Sequence, residues 1–318
     1  MVLAEQFLFQ ALQMLLVLAL APLLTGVVRK IKARLTRRRG ASVFQPYRDL
    51  FRLMRKEAVI ADNASWIFRS APYLIFAATW VAAALTPTFR TGLMFSWSGD
   101  LIVIVALLGS ARFFLALAGM DVGTAFGGIG SSREMMIAAF AEPAMLLAVF
   151  SVALIAGSTN VSTVAAFMTS NAVGLRVSLA LAMVALIMVA IAENARIPVD
   201  NPSTHLELTM VHEAMILEYS GRHLAMIEFA SFLKLLLYVS LIGAIFVPWG
   251  LDADGAGAAR NAFSILFYLG KLVVAAILLA VFETATAKMR VFRVPDFLGA
   301  ALMLGFLGAL LLFAGGRF

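Results

Sequence analysis

Cysteine is absent from the 318-residue sequence. The chain therefore has no disulfide, no zinc site with thiolate ligands and no iron–sulfur cluster held by its own cysteines. Histidine is scarce, since only His205, His212 and His223 occur, and none of them forms the H-E-x-x-H motif of a zinc site. We expect no metal and no cofactor in this chain, so any redox metal that it works with belongs to a partner protein.

Charged residues are few as well. They make up 14% of the sequence and hydrophobic residues 62%, whereas soluble domains are about 25% charged. No polar stretch is long enough to form a soluble domain, so residues 1–318 are predicted to form one membrane domain. The net charge of +7 does not indicate nucleic-acid binding, because the basic residues lie between apolar runs.

Eight apolar runs are long enough to cross a bilayer as helices, which takes about 20 residues. The runs cover residues 7–28, 72–89, 101–117, 135–156, 177–192, 229–249, 263–282 and 297–313. They predict an all-α, polytopic membrane protein with about eight spans. The first run has no basic stretch before it, unlike a secretory signal peptide, and is expected to remain as a helix. No internal repeat is evident, which disfavours a stand-alone secondary transporter built from two related halves.

The distribution of lysine and arginine predicts the orientation of these spans. With helix-entry residues counted in the adjacent loop, the first, third, fifth and seventh loops contain 20 of the 25 basic residues. Basic loops remain on the cytoplasmic side of a membrane. Both long loops, 29–71 and 193–228, are therefore predicted to face the cytoplasm, and both termini to face the opposite side.

The first long loop contains a segment, residues 45–57, in which apolar and basic residues alternate. This pattern predicts an amphipathic helix at the membrane surface. Such a helix serves either to anchor the loop to lipid headgroups or to dock a partner protein, and the length of the loop favours docking. The candidate docking residues are Arg37, Arg38, Arg39, Gln45, Asp49 and Arg52, together with Tyr219 of the fifth loop.

Ionisable residues inside membrane spans are the first candidates for function, because each costs about 2.5–3.5 kcal/mol to insert. Residues at span ends can extend their charged groups to the interface, but Glu142 and Lys271 lie too far inside. We expect these two to be buried in the bundle, where they pair or face water as proton-relay residues do. The candidates within or at the ends of spans are Arg112, Glu142, Glu193, Lys234, Lys271 and Glu283.

The fifth loop combines prolines, carboxylates and histidines. Pro198 and Pro202 interrupt any helix, Ser203 is a suitable N-cap, and a helix from there is expected to reach about Tyr219 and to end at Gly221. A helix this polar between apolar spans is predicted to line a water-filled cavity. The loop adds these candidates for proton transfer: Asp200, His205, Glu207, His212, Glu213 and Glu218.

Several stretches resemble one family of membrane subunits. They are Arg196-Ile197-Pro198-Val199-Asp200, Glu207-Leu208, Glu218-Tyr219, residues 38–50, residues 121–124, residues 130–134, Glu142-Pro143 and residues 157–160. Together they resemble the subunit that anchors the peripheral arm of respiratory NADH:quinone oxidoreductase (complex I). They resemble more closely the homologous subunit of energy-converting NiFe hydrogenases and formate hydrogenlyase. The resemblance covers nearly the whole chain.

The resemblance implies a subunit without a redox centre, in the bacterial inner membrane. Such a subunit binds a cytoplasmic NiFe and iron–sulfur module through its long loops and passes energy to antiporter-like membrane partners. Glu142 matches the glutamate of the family's fourth helix, and Glu193, Glu207 and Glu218 match an acidic entrance to a hydrophilic axis. Arg112, Arg133, Glu134 and Arg196 are expected to support these carboxylates by ion pairing.

Departures from the complex I pattern favour the hydrogenase branch over the alternative, a quinone-reducing or other hydrogenase-related complex. The first loop is shorter than in complex I, and Ser203 and His205 stand where complex I subunits carry two glutamates. About three extra residues, near Glu213, precede Glu218. The expected function is to couple electron transfer to the translocation of protons or sodium ions.

Overall fold

The computed structural model describes residues 2–169, 176–199, 211–251, 258–287, 289 and 293–314, without the side chains of residues 2–4, 258 and 259. In these ranges all regular secondary structure is helical, and an isolated β-bridge joins Asp100 to Asn160. The prediction of an all-α membrane protein is confirmed.

Eleven α-helices lie within the described ranges. They are α1 (Val2–Leu35), α2 (Gln45–Met54), α3 (Trp66–Leu85), α4 (Leu101–Asp121), α5 (Ala125–Ala156), α6 (Val161–Thr169), α7 (Val177–Glu193), α8 (His212–Ile216), α9 (Gly221–Phe246), α10 (Ala258–Ala285) and α11 (Val294–Ala314). A short 3-10 turn, Ser96–Ser98, precedes α4.

Each of the eight apolar runs forms a helix. Seven helices are long and apolar enough to cross a membrane, namely α1, α3, α4, α5, α9, α10 and α11. The eighth, α7, has 17 residues, which is at the lower end of the length that spans a bilayer. Polar residues cap the first turns of several helices. The side chains of Ser65, Asp100 and Thr124 accept hydrogen bonds from first-turn amides of α3, α4 and α5, respectively. The helices α3 and α5 therefore begin before their apolar runs.

The predicted amphipathic helix of the first loop is α2. Pro46 lies in its first turn, where a missing amide hydrogen costs nothing. Pro46 and Leu50 are buried against the bundle, whereas Arg48 and Arg52 are exposed. The nine-residue α6 was not predicted. Asn160 caps it by accepting hydrogen bonds from the amides of Ser162 and Thr163.

The prediction for Gly221 is wrong. This glycine does not end the helix of the fifth loop but begins α9 with a φ of +53°, and α8 already ends at Ile216. A side chain at Gly221 would lie 2.3 Å from the carbonyl oxygen of Glu57. Ser220 also exchanges hydrogen bonds with the backbone of Val59, at 2.8 and 3.0 Å. The two long loops are therefore joined directly at this point.

The main core lies where α5 packs against α4, α7 and α11, and a second packing layer joins α9 to α1 and α3. Small residues allow close approach there, including Ala141, Ala144 and Ala148 of α5 and Ala182 and Ala185 of α7. This use of small residues is typical of helix packing in membranes. It brings α4, α5, α7 and α9 close enough for their polar side chains to meet.

Candidate functional site

A buried group of charges surrounds Arg112 of α4. Its Nε lies 3.6 Å from Glu134 Oε1, its Nη1 lies 3.3 Å from Glu142 Oε1, and its Nη2 pairs with Glu193. Lys234 Nζ lies 3.5 Å from the other oxygen of Glu193. We call these five residues the Arg112 cluster. Three carboxylates thus share two cations inside the bundle.

Four helices assemble the Arg112 cluster. Glu134 and Glu142 lie about two turns apart in α5 and both contact Arg112 of α4. Glu193 is the last residue of α7, where the helix dipole disfavours a carboxylate. The two cations beside Glu193, from α4 and α9, offset this cost. Buried charges persist only with such partners.

Glu142 differs from the rest of the Arg112 cluster in its exposure. Its side chain is 44% exposed, whereas those of Arg112 and Glu193 are 3% and 2% exposed. The expectation that Glu142 pairs with another charge therefore agrees with the structure, but the expectation that it is buried does not. The Arg112 cluster extends from the interior of the bundle to its lateral surface.

A second ion-pair group joins three segments at one end of the bundle. Glu283 of α10 is buried and lies 2.9 Å from Lys32 Nζ and 3.3 Å from Arg196 Nη1. We call it the Glu283 triad. Burial lowers the pKa of Arg196, and the negative charge of Glu283 opposes this effect. Glu283 is therefore paired inside the protein and does not reach out to the interface. Lys32 was missed by the sequence analysis, because nothing distinguishes it among the first-loop cations.

A cavity of about 470 Å³ lies between the Arg112 cluster and the Glu283 triad. Half of its described lining residues are ionisable: Arg29, Lys32, Arg38, Glu193, Arg196, His212, Glu213, Lys234 and Glu283. The helix α8 supplies His212 and Glu213, so the described part of the fifth loop lines a polar cavity, as predicted. A polar space of this size accommodates water. We call it the large cavity.

A smaller pocket of about 30 Å³ lies deeper in the bundle. Arg112, Glu134, His212 and Lys234 line it, together with Thr79 of α3 and apolar residues. Burial lowers the pKa of His212 to about 4. The positive charges of Lys234 and Arg112 also lower this pKa, and the charge of Glu134 opposes them. We call this space the inner pocket.

Other candidates for proton transfer lie outside the two ion-pair groups. Lys271 donates a hydrogen bond to the carbonyl oxygen of Val247, just after α9, and its amine lies 5.4 Å from the centre of the Phe267 ring. Glu218 is exposed after α8, and Arg133 is partly buried on α5. The remaining candidates, Asp200, His205 and Glu207, lie outside the described residues.

The docking candidates fall into two sets. Arg37, Arg38, Arg39 and Arg52 are exposed, and Asp49 accepts hydrogen bonds from Gln45 at 3.0 Å and Arg52 at 3.2 Å. The docking prediction is wrong for Tyr219. Its ring stacks on Phe68 with the ring centres 3.9 Å apart, its hydroxyl donates to the Phe68 carbonyl at 2.9 Å, and 4% of the residue is exposed.

The histidines do not form a metal site in the described part of the chain. His212 is in α8, whereas His223 is buried in α9, with its ring edge towards Tyr73 and Tyr219. Among the residues with described positions, no group of three or more histidines, aspartates and glutamates is placed to hold a metal ion.

Known proteins similar to this chain are subunits of membrane oxidoreductase complexes. The chain is 33% identical to formate hydrogenlyase subunit 4 of Escherichia coli K12 over 308 residues, which is 96% of this chain and 99% of the relative. It is 34% identical over 286 residues to hydrogenase-4 component C of the same organism, with coverage of 89% and 88%.

One solved structure shows the same fold. It is that of the membrane-bound sulfane sulfur reductase, an archaeal respiratory membrane complex. One chain of that complex matches with a TM-score of 0.81 and 21% sequence identity, and the match covers 96% of this chain and 99% of that chain. The sequence model of the family described as NADH dehydrogenase matches residues 9–314. This chain is therefore a multi-pass membrane protein that belongs to the NADH dehydrogenase family.

Proposed function

We propose that this chain is a non-redox membrane subunit of an energy-converting hydrogenase complex. In this role it anchors a cytoplasmic NiFe and iron–sulfur module and couples electron transfer to the translocation of protons or sodium ions. The observation that carries the proposal is the Arg112 cluster, which borders the large cavity at Glu193 and Lys234 and reaches the lateral surface of the bundle at Glu142. The similarity to two hydrogenase-type relatives supports the choice of complex.

The charge balance of the Arg112 cluster suits ion transfer. Three carboxylates face two cations, so one carboxylate lacks a full counter-charge when all are ionised. A change in the large cavity that moves Lys234 away from Glu193 alters that balance. The effect then passes through Arg112 to Glu142.

The docking surface for the cytoplasmic module comprises the exposed cations Arg37, Arg38 and Arg39 and the outer face of α2. The contacts of Gly221 and Ser220 with the first loop join both long loops into one platform. In this proposal the platform faces the cytoplasm, both termini face the other side of the inner membrane, and antiporter-like subunits contact the surface at Glu142. Redox metals belong to the docked module.

The alternative is an equivalent role in a quinone-reducing complex. The family model and the volume of the large cavity favour it, since small-molecule sites usually measure about 300–1,000 Å³. Such sites are mostly apolar, however, whereas half of the described lining of this cavity is ionisable. The character of the lining supports the hydrogenase type.

The test is Glu142→Gln in the intact complex, with Glu5→Gln as the matched control. Both changes remove one partly exposed carboxylate charge beside a buried arginine, but Glu5 pairs with Arg90 and lies outside the Arg112 cluster. We expect normal assembly for both variants. Ion translocation in vesicles is expected to be lost for Glu142→Gln alone, together with or apart from electron transfer. An assembled Glu142→Gln complex that translocates ions at the unmodified rate would contradict the proposal.

A further inference from the structure

The inner pocket has the volume of a water site and a partly polar lining. Its 30 Å³ exceeds the roughly 10–15 Å³ that one water molecule needs. Charged side chains from α4, α5 and α9 line it, together with His212 and the hydroxyl-bearing Thr79. A pocket with several polar groups holds water, whereas empty cavities in proteins are apolar.

One buried donor in this pocket lacks a hydrogen-bond partner among the described residues. Arg112 is 5% exposed, and its Nε makes no hydrogen bond in this part of the chain. The nearest carboxylate oxygen, Glu134 Oε1, is 3.6 Å away, beyond hydrogen-bonding distance. A buried donor left unpaired is costly, and a water in the adjoining pocket gives it an acceptor. The pocket and the unpaired donor therefore indicate the same ligand.

Three residues separate this pocket from the large cavity. His212, Ser231 and Lys234 line both spaces. Of the three, Lys234 is engaged with Glu193, whereas the imidazole of His212 has one nitrogen that accepts and one that donates a proton. Its lowered pKa, about 4, keeps the ring neutral at ordinary pH and so able to do both. His212 is thus a titratable group that lines both spaces and is able to pass a proton between them.

We infer that the inner pocket binds a water molecule and that His212 and this water pass protons from the large cavity to Glu134 of the Arg112 cluster. One imidazole nitrogen accepts a proton from a hydronium ion in the large cavity, which becomes water, and the other nitrogen releases its proton to the pocket water. The water transfers one proton to the Glu134 carboxylate. The imidazole and the water end neutral, so the net change is one proton moved from the cavity to Glu134. This inference rests on the proposed function and specifies protons as the ion.

Filling the pocket tests the water directly. Ala230 of α9 lines the inner pocket, whereas Ala225, one and a half turns earlier in the same helix, does not. Both are buried, with 2% and 1% exposed. Ala230→Val and Ala225→Val therefore add the same volume, one inside the pocket and one outside it. His212→Gln and His212→Leu remove the titrating ring.

The variants are compared in the whole complex, purified and placed in lipid vesicles. We expect all four to assemble. Ala230→Val and both His212 variants are expected to lose most of their proton uptake per electron transferred, measured with a pH-sensitive dye, while Ala225→Val retains it. A high-resolution electron density map of the unmodified complex is expected to contain a water within hydrogen-bonding distance of Arg112 Nε, and the map of Ala230→Val to lack it.

Two outcomes separate this inference from the proposed function. If Ala230→Val or a His212 variant translocates protons normally while Glu142→Gln does not, the relay is overturned and the proposed function stands. If Glu142→Gln also translocates normally, both are overturned. Absence of the pocket water in a map that contains other buried waters likewise overturns the relay, as does translocation of sodium ions alone.

Discussion

The buried arginines Arg112 and Arg90 lie in opposite halves of the bundle and have different surroundings. Arg90 follows α3 in the sequence and lies beside the beginning of α1. It is 3.4 Å from Glu5, whose side chain is 53% exposed, and the Arg90 guanidinium is 4.4 Å from the centre of the Phe9 ring. Arg112 contacts three carboxylates from two helices and borders water-sized space. The first arrangement holds a cation in place, and the second shares one cation among competing anions.

The same contrast holds for the two lysines within spans. Lys234 lies between two polar spaces and contacts Glu193, whereas Lys271 contacts a backbone carbonyl and an aromatic ring. A charge with one permanent partner stabilises a structure. A charge placed between alternative partners, with access to water, can change partners when protons move. Position within a span therefore does not by itself identify a coupling residue.

The largest expected effect is that of removing the shared cation. Arg112→Met leaves Glu134 and Glu193 buried without their main partner, and breaking a buried ion pair costs about 3–5 kcal/mol. We expect loss of the folded subunit from membranes. Arg90→Met leaves Glu5, which water already reaches, so its effect is expected to be smaller. The amounts of each variant in purified complex measure this, and equal losses would contradict the comparison of the two arginines.

The next effect concerns the platform formed by the two long loops. Arg37, Arg38 and Arg39 are exposed, and Arg38 also lines the large cavity. Changing all three to glutamate is expected to release the peripheral module from membranes while the subunit still inserts, since like charges at a docking surface repel. The matched control changes the same three arginines to lysine, which keeps their positive charge. If the module stays bound at ordinary salt after the triple reversal, this loop is a lipid anchor only.

Two glycines of α9 test the joint between the long loops through the thermal stability of the protein. Gly221→Ala places a methyl group 2.3 Å from the Glu57 carbonyl at a φ of +53°, so we expect a destabilisation of more than about 1 kcal/mol. Gly243→Ala, in the same helix, meets no atom within 4 Å and is expected to be neutral or slightly stabilising. Thermal unfolding of the purified complex distinguishes them, and equal midpoints would contradict a tight joint between the long loops.

The helices were predictable from the sequence because each span is encoded locally, as about 20 apolar residues between polar flanks. The pairing of charges within the Arg112 cluster was not predictable from the sequence. Arg112, Glu142 and Glu193 are 30 and more residues apart, and only the packing of α4, α5 and α7 shows which charges meet. Lys32 was not identified as a site residue for a related reason, since it is one of seven cations between residues 29 and 39.

Two local predictions failed because the same type of residue in a similar sequence context occurs in two different structural environments. A glycine near a predicted helix end is usually a C-cap, but Gly221 starts a helix, because close contact with the first loop leaves no space for a side chain. An aromatic residue in a polar loop is often presented to a partner, but Tyr219 fills a groove beside Phe68 in its own chain. Both outcomes depend on contacts with segments more than 150 residues away.

The smallest expected effect is that of Lys271→Met, and it is the sharpest test of the comparison between the two halves. Position alone favours Lys271 as a proton carrier, because it lies in the middle of α10. Its surroundings do not, since it borders a void of only about 10 Å³, at the lower limit for holding one water. Methionine keeps the length of the side chain and removes the charge.

We therefore expect Lys271→Met to assemble and to translocate ions at the unmodified rate, because the lost hydrogen bond to the Val247 carbonyl is a single contact outside the Arg112 cluster. Lys234→Met makes the same chemical change beside Glu193 and is expected to abolish translocation. Ion uptake by vesicles that contain each variant complex measures the difference. Loss of translocation in an assembled Lys271→Met complex would mean that a second hydrophilic path runs through α9 and α10. The contrast between shared and permanently paired charges would then no longer distinguish coupling residues from structural ones.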